Sequence, residues 1–117
     1  MKDLKTLQQE IQLWSDTQFG NDRSPLPMLF HLKKEIDELI EAMQRVVGKQ
    51  FESRDLALKS VYDVKNEFAD CFMLLLDSAS HFGIDSDMLI KLTDDKLQVN
   101  KNRKWGKPDK NGVVEHV

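Results

Sequence analysis

The chain reads as all-α, a helical bundle of four main helices, and three observations predict it. Apolar residues recur at spacings of three and four along four separate stretches. Glycine, proline and small polar residues punctuate the gaps between those stretches. The sequence holds no strand-like alternation, internal repeat or linker composition, so its 117 residues read as one domain, 1–117.

The first helix, about 3–19, carries Leu4, Leu7, Ile11 and Trp14 on one face, with Asp3 as its cap. Gly20 and Asn21 suit a left-handed stop. Ser24-Pro25 opens the second helix, about 25–47, with proline in the first turn where its missing N–H costs nothing. Met28, Leu29, Leu32, Ile36, Leu39, Met43 and Val46 form its expected core face, and residues 48–53 a loop. The third helix, about 54–82, ends at Gly83 and is expected to be central and largely buried. Val61, Val64, Phe68, Phe72, Leu75, Ala79 and Phe82 fall on an arc roughly 80° wide at about 100° per residue. Asp85-Ser86-Asp87 offers caps for the fourth, about 86–105, which bears Met88, Leu89, Leu92 and Val99 and stops at Gly106. The C-terminal tail, 106–117, shows no strong period.

A net charge of −3, with acids mid-chain and bases between Lys96 and Lys110, gives no general attraction for nucleic acid. Met1 to Leu4 contains no apolar signal region, and the longest apolar run, Cys71 to Leu76, is too short to cross a bilayer. The single cysteine, Cys71, excludes an internal disulfide and reads as a buried thiol, which fits a reducing cytoplasm. Leu76 and Ile90, apolar and outward in this reading, point to self-association.

The chemistry concentrates in acids beside the apolar stripes. On the second helix Lys34, Asp37 and Glu41 project outward, whereas Glu35 and Glu38 project onto one shoulder of the core stripe with His31 and Ala42. On the third, Asp63, Glu67, Asp70 and Asp77 form a narrow acidic stripe flanking the apolar one. Two helices thus each present acids three apart, Glu35 with Glu38 and Glu67 with Asp70, whose oxygens can converge. Carboxylates gathered in one groove repel one another unless cations lie between them. Hard oxygen donors select Mg²⁺, Mn²⁺ or Ca²⁺ over zinc. A di-iron bundle is disfavoured, because no histidine follows a glutamate at the Glu-x-x-His spacing. On the fourth helix, Lys96, Asn100 and Arg103 continue the inward arc of Leu89 and Leu92. They suit either the negative end of the helix dipole or phosphate oxygens.

His31-Leu-Lys-Lys-Glu35-Ile-Asp-Glu38, Glu67-Phe-Ala-Asp70 and Lys96-x-x-x-Asn100-x-x-Arg103-x-Trp105 together resemble the MazG-like all-α nucleoside triphosphate pyrophosphohydrolases. The small stand-alone branch, often phage-associated and described as dATP/dGTP pyrophosphohydrolase-like, is the nearest in pattern. Trp105-Gly-Lys-Pro108 and Val114-Glu-His116 extend the likeness into the tail. The family pattern, EExxE then ExxD, implies Mg²⁺ held by Glu35, Glu38, Glu67 and Asp70, with Mn²⁺ as a substitute. The first glutamate of that pattern is Lys34 here. The resemblance implies hydrolysis of purine dNTPs between the α- and β-phosphates, giving a nucleoside monophosphate and pyrophosphate, by a homodimer or homotetramer. Glu38 is the expected general base, with Lys96 and Arg103 stabilising phosphate charge and Asn100 positioning them. Trp14 suits base stacking or helix packing, His31 substrate contact or the rim, and Asp63 a substrate group or a solvated acid. Gly20 to Pro27, including Arg23, is a polar loop able to close over a nucleotide. A non-catalytic helical module that binds nucleotide or a partner protein is the alternative.

Overall fold

In the computed structural model, which describes residues 1–48 and 50–117, the four helices are α1 (Leu4–Phe19), α2 (Leu26–Val46), α3 (Arg54–His81) and α4 (Ser86–Lys101). The expected loop at 48–53 includes Lys49, which lies outside the described residues. No strand occurs among the described residues beyond one isolated bridge, Trp105 to His116. None of the helices is long and apolar enough to cross a membrane.

Local chemistry sets the boundaries. The Asp3 side chain accepts from Thr6 N at 2.8 Å and opens α1. Gly20, at φ +95°, closes it in a region that side chains with a Cβ avoid. The Ser24 hydroxyl accepts from Leu26 N at 3.0 Å, and Ser53 accepts from Leu56 N at 3.1 Å to start α3. Ile84 N donates back to Ala79 O at 2.8 Å around Gly83, at φ +87°, so α3 ends in a left-handed cap.

The chain divides into two compact units, Met1–Asp85 and Ser86–Val117. In the first, α3 packs against both α1 and α2. The buried face of α3 differs from the expected one. Leu76 is fully buried rather than outward, whereas Phe68, Phe72, Leu75 and Phe82 are exposed. The inner stripe runs instead through Ala57, Ser60, Val64, Glu67, Cys71, Leu74, Ser78 and His81. On α2 the inner stripe is Met28, Leu32, Glu35, Leu39, Ala42 and Val46. Both step by alternating threes and fours, a period near 3.5 that keeps one seam facing its partner. Glu35 and Glu67 are therefore seam residues. On α1 the buried residues are Gln8, Ile11 and Ser15, with Trp14 half exposed beside them. Gln8 Nε2 donates to Leu76 O at 3.3 Å and Ile84 O at 3.0 Å, which tethers α1 to the end of α3.

In the second unit, α4 stops at Lys101, four residues before the expected end. The Asn102 and Arg103 amides turn back onto the carbonyls of Val99 and Asn100 in 3₁₀-type bonds. The tail folds back in place of a further turn. Gly106 N donates to Glu115 O at 2.8 Å, Val117 N to Lys104 O at 2.9 Å, and Trp105 Nε1 to Asn100 O at 3.0 Å.

Candidate active site

Two seam positions and one shoulder position gather the acids. One carboxylate oxygen each from Glu35, Glu38 and Glu67 lies within 4.8 Å of the others. Glu35 and Glu67 are partly buried, whereas Glu38 is exposed. Glu67 Oε2 is buried with no hydrogen-bond partner among the described residues, an arrangement that costs free energy unless a cation or donor reaches it. Hydrogen bonding to Glu38 raises the Glu35 pKa from 4.5 to about 7, followed by burial and by the Glu67 carboxylate. His31 Nε2 approaches Glu35 Oε1 at 3.2 Å from the preceding turn. Burial raises the Cys71 thiol, and the Glu35, Glu67, Asp70 and Glu38 charges add to the shift. Three oxygens converging at this distance fit a hard divalent cation. Cys71, half-buried rather than fully buried, supplies a thiol that such an ion does not favour.

Asp70 is exposed one turn beyond Glu67 and is not among the three gathered acids; it borders the adjoining cavity with Glu35. Asp63 pairs with Lys59 at 3.2 Å, away from the cluster. Lys34 is exposed on the outer face, so the departure from the family pattern leaves the cluster intact.

The cavity measures about 360 Å³, within the range of small-molecule sites. Trp14, Phe19, Met28, Met73 and Leu74 give it apolar walls, and His31 and Glu35 join it to the acids. The Trp14 and Phe19 rings meet edge to face at 5.8 Å, a platform suited to a flat aromatic guest. Phe19 and Met28 were legible only as helix residues, since their place on a cavity depends on how α1 and α2 pack. Arg23 and Asp77 also line the cavity. Asp77, a residue of the acidic stripe, accepts from Ser15 Oγ at 2.7 Å, lies 3.7 Å from Arg23 Nη2, and has its Oδ1 3.2 Å from His81 Nδ1. His81 Nδ1 sits 2.7 Å from the Asp77 carbonyl oxygen, and its Nε2 sits 2.9 Å from Asp16 Oδ1.

In the second unit, Lys96 and Asn100 border an open hollow of about 430 Å³ with Leu92, Thr93 and Leu97. Arg103 lies beyond the end of α4, and its Nη1 donates to Asn100 Oδ1 at 3.4 Å. Asn100 thereby holds one expected phosphate ligand.

A family model described as dATP/dGTP pyrophosphohydrolase matches residues 7–117, which takes in nearly all of α1 and the whole of the other three helices. Searches of curated proteins and of solved structures give no match.

Proposed function

The chain belongs to the dATP/dGTP pyrophosphohydrolase family, and from that premise we propose a Mg²⁺-dependent hydrolase that cleaves purine dNTPs between the α- and β-phosphates. Membership makes it a hydrolase acting on phosphoric anhydrides. The observation that carries the finer reading is the cluster of Glu35, Glu38 and Glu67, of which Glu35 lines a cavity with aromatic walls.

Glu35, Glu38 and Glu67, with Asp70 beside them, would hold Mg²⁺, or Mn²⁺ in its place. When bound, the ion supplies charge neutralisation for the triphosphate and a more acidic water. Glu38, the most exposed of the three gathered acids, accepts the proton of the attacking water. His31 orients Glu35 through their 3.2 Å contact. Trp14 and Phe19 hold the base, so that the α-phosphate is presented to the acids and not left to wander. Lys96 and Arg103 bind phosphate oxygens, with Asn100 fixing the Arg103 guanidinium. Asp63 is a lesser substrate contact, reached by giving up its exposed pairing with Lys59.

The protein works in the cytoplasm on free nucleotides, independent of nucleic acid and membrane, as a homodimer or homotetramer. The test is pyrophosphate release from a panel of dNTPs with Mg²⁺ and then with EDTA. Metal-dependent release from dATP or dGTP is the expected result. Glu38→Gln should lower turnover by about 10²-fold or more, and Asp70→Asn should also abolish most of it, with helix content unchanged in both. Near-normal rates in both variants would sink the site assignment.

A further inference from the structure

The reaction leaves one end of the cavity without a task. There Arg23 is held in place from several sides. Its Nε donates to Gly20 O at 3.0 Å and its Nη2 to Ser15 Oγ, with Asp77 Oδ2 at 3.7 Å and Asp16 Oδ1 at 3.9 Å. The guanidinium lies 5.3 Å over the Phe19 ring. Among the described residues its Nη1 meets only the Met28 sulfur, at 3.4 Å, and a thioether is a weak acceptor. A cationic donor is thus fixed at the cavity wall with one nitrogen poorly satisfied. Asp77, whose side chain is 7% exposed, faces His81 Nδ1 with Oδ1 at 3.2 Å and Arg23 with Oδ2 at the same wall. Along α3, Asp77 lies seven residues on from Asp70, about 10 Å of helix. That length is comparable to the span from an α-phosphate to the far edge of a purine.

Resting on the nucleotide reading above, we propose that this wall reads the base and that Arg23 selects guanine through its O6 and N7 acceptors. Guanine offers two neighbouring acceptors on that edge, the pair that arginine recognises best. Adenine places an amino donor beside N7, so the same guanidinium meets an N–H where it needs a lone pair. A pyrimidine has no N7. Ser15, Asp16 and Asp77 act as positioning residues, because they fix the guanidinium before any ligand arrives. Phe19 stacks on Arg23 and borders the same cavity, so one ring serves both the reader and the base.

The experiment compares kcat/KM of the Mg²⁺-loaded wild type on dGTP, dITP, 7-deaza-dGTP and dATP, then repeats dGTP and dATP with Arg23→Gln. The wild type should favour dGTP over dATP on the order of ten-fold or more. Deoxyinosine triphosphate keeps O6 and N7 and should match dGTP closely, whereas 7-deaza-dGTP should lose several-fold. In Arg23→Gln the dGTP preference should fall towards unity, with dGTP losing the more. Since Arg23 also braces α1 and α3, the substrate series on the wild type stands even if that variant folds poorly. Equal use of dGTP and dATP, or of dGTP and 7-deaza-dGTP, overturns the proposal. A loss on dITP as large as that on 7-deaza-dGTP assigns recognition to the 2-amino group and overturns it too. Brisk hydrolysis without guanine preference would leave the hydrolase reading standing, whereas no hydrolysis of any dNTP would sink both.

Discussion

Glu67 and Glu35 are seam residues where a coiled packing would ordinarily place leucine, and their cost in the absence of a cation is readable. Glu67 Oε2 has no hydrogen-bond partner among the described residues. Replacing Glu67 with glutamine removes one charge and supplies a donor to the neighbouring carboxylates. The metal-free Glu67→Gln protein should therefore melt above the wild type in EDTA, while Mg²⁺ no longer raises its Tm. Glu35 gives a pH signature with a definite sign. Its folded pKa is raised from 4.5 to about 7, so between those values the native state keeps a proton that the unfolded chain has released. The contribution to stability is fully present below the unfolded value and is lost as pH rises through the folded one. In EDTA, wild-type Tm should fall relative to Glu35→Gln as pH rises from about 4.5 to about 7. Saturating Mg²⁺ should flatten that difference, because the ion favours the ionised carboxylate.

At the scale of elements, the four helices and their caps follow from short-range chemistry, and Asp3, Ser24 and Ser53 cap through the bonds their side chains allow. The buried face of α3 was not legible in the same way. Hydropathy points to the arc of Val61, Phe68, Phe72 and Leu75, yet the inner seam is built of Ala57, Ser60, Glu67, Cys71, Ser78 and His81. Small and polar residues let neighbouring helices approach closely, and their burial is decided by hydrogen bonds across helices that no single-helix pattern contains. Ser78 Oγ donates to Pro25 O at 2.9 Å, and Ser15 Oγ to Asp77. The acids Glu35 and Glu67 were legible for the opposite reason, since a carboxylate near a core stripe demands a partner. Leu76 marks the difference: expected outward, it is fully buried beneath the Gln8 amide. Leu76→Ala should cost about 2–5 kcal/mol of stability, read as a loss of Tm with helix content preserved. A change near zero would mean that the aromatic arc, and not this side, forms the core.

At the scale of the molecule, that aromatic arc bears on assembly. Phe68 is 54% exposed, Phe72 45% and Leu75 44%, on the helix that also carries Glu67 and Asp70. Monomeric proteins rarely leave so many large apolar groups together on one face, and homo-oligomers commonly bury such faces against a second copy. The acids and the aromatics occupy different sides of α3, so covering one leaves the other free. Light scattering after gel filtration should give a dimer or tetramer for the wild type. Phe68→Glu with Phe72→Glu should shift the protein to a monomer, because two charges per chain cannot be buried against their own copies without counter-ions. Mg²⁺ should still stabilise that monomer, since Glu35, Glu38 and Glu67 all come from one chain. An assembly unchanged by both charges would place the contact elsewhere, and a wild type that runs as a monomer would leave the arc facing water.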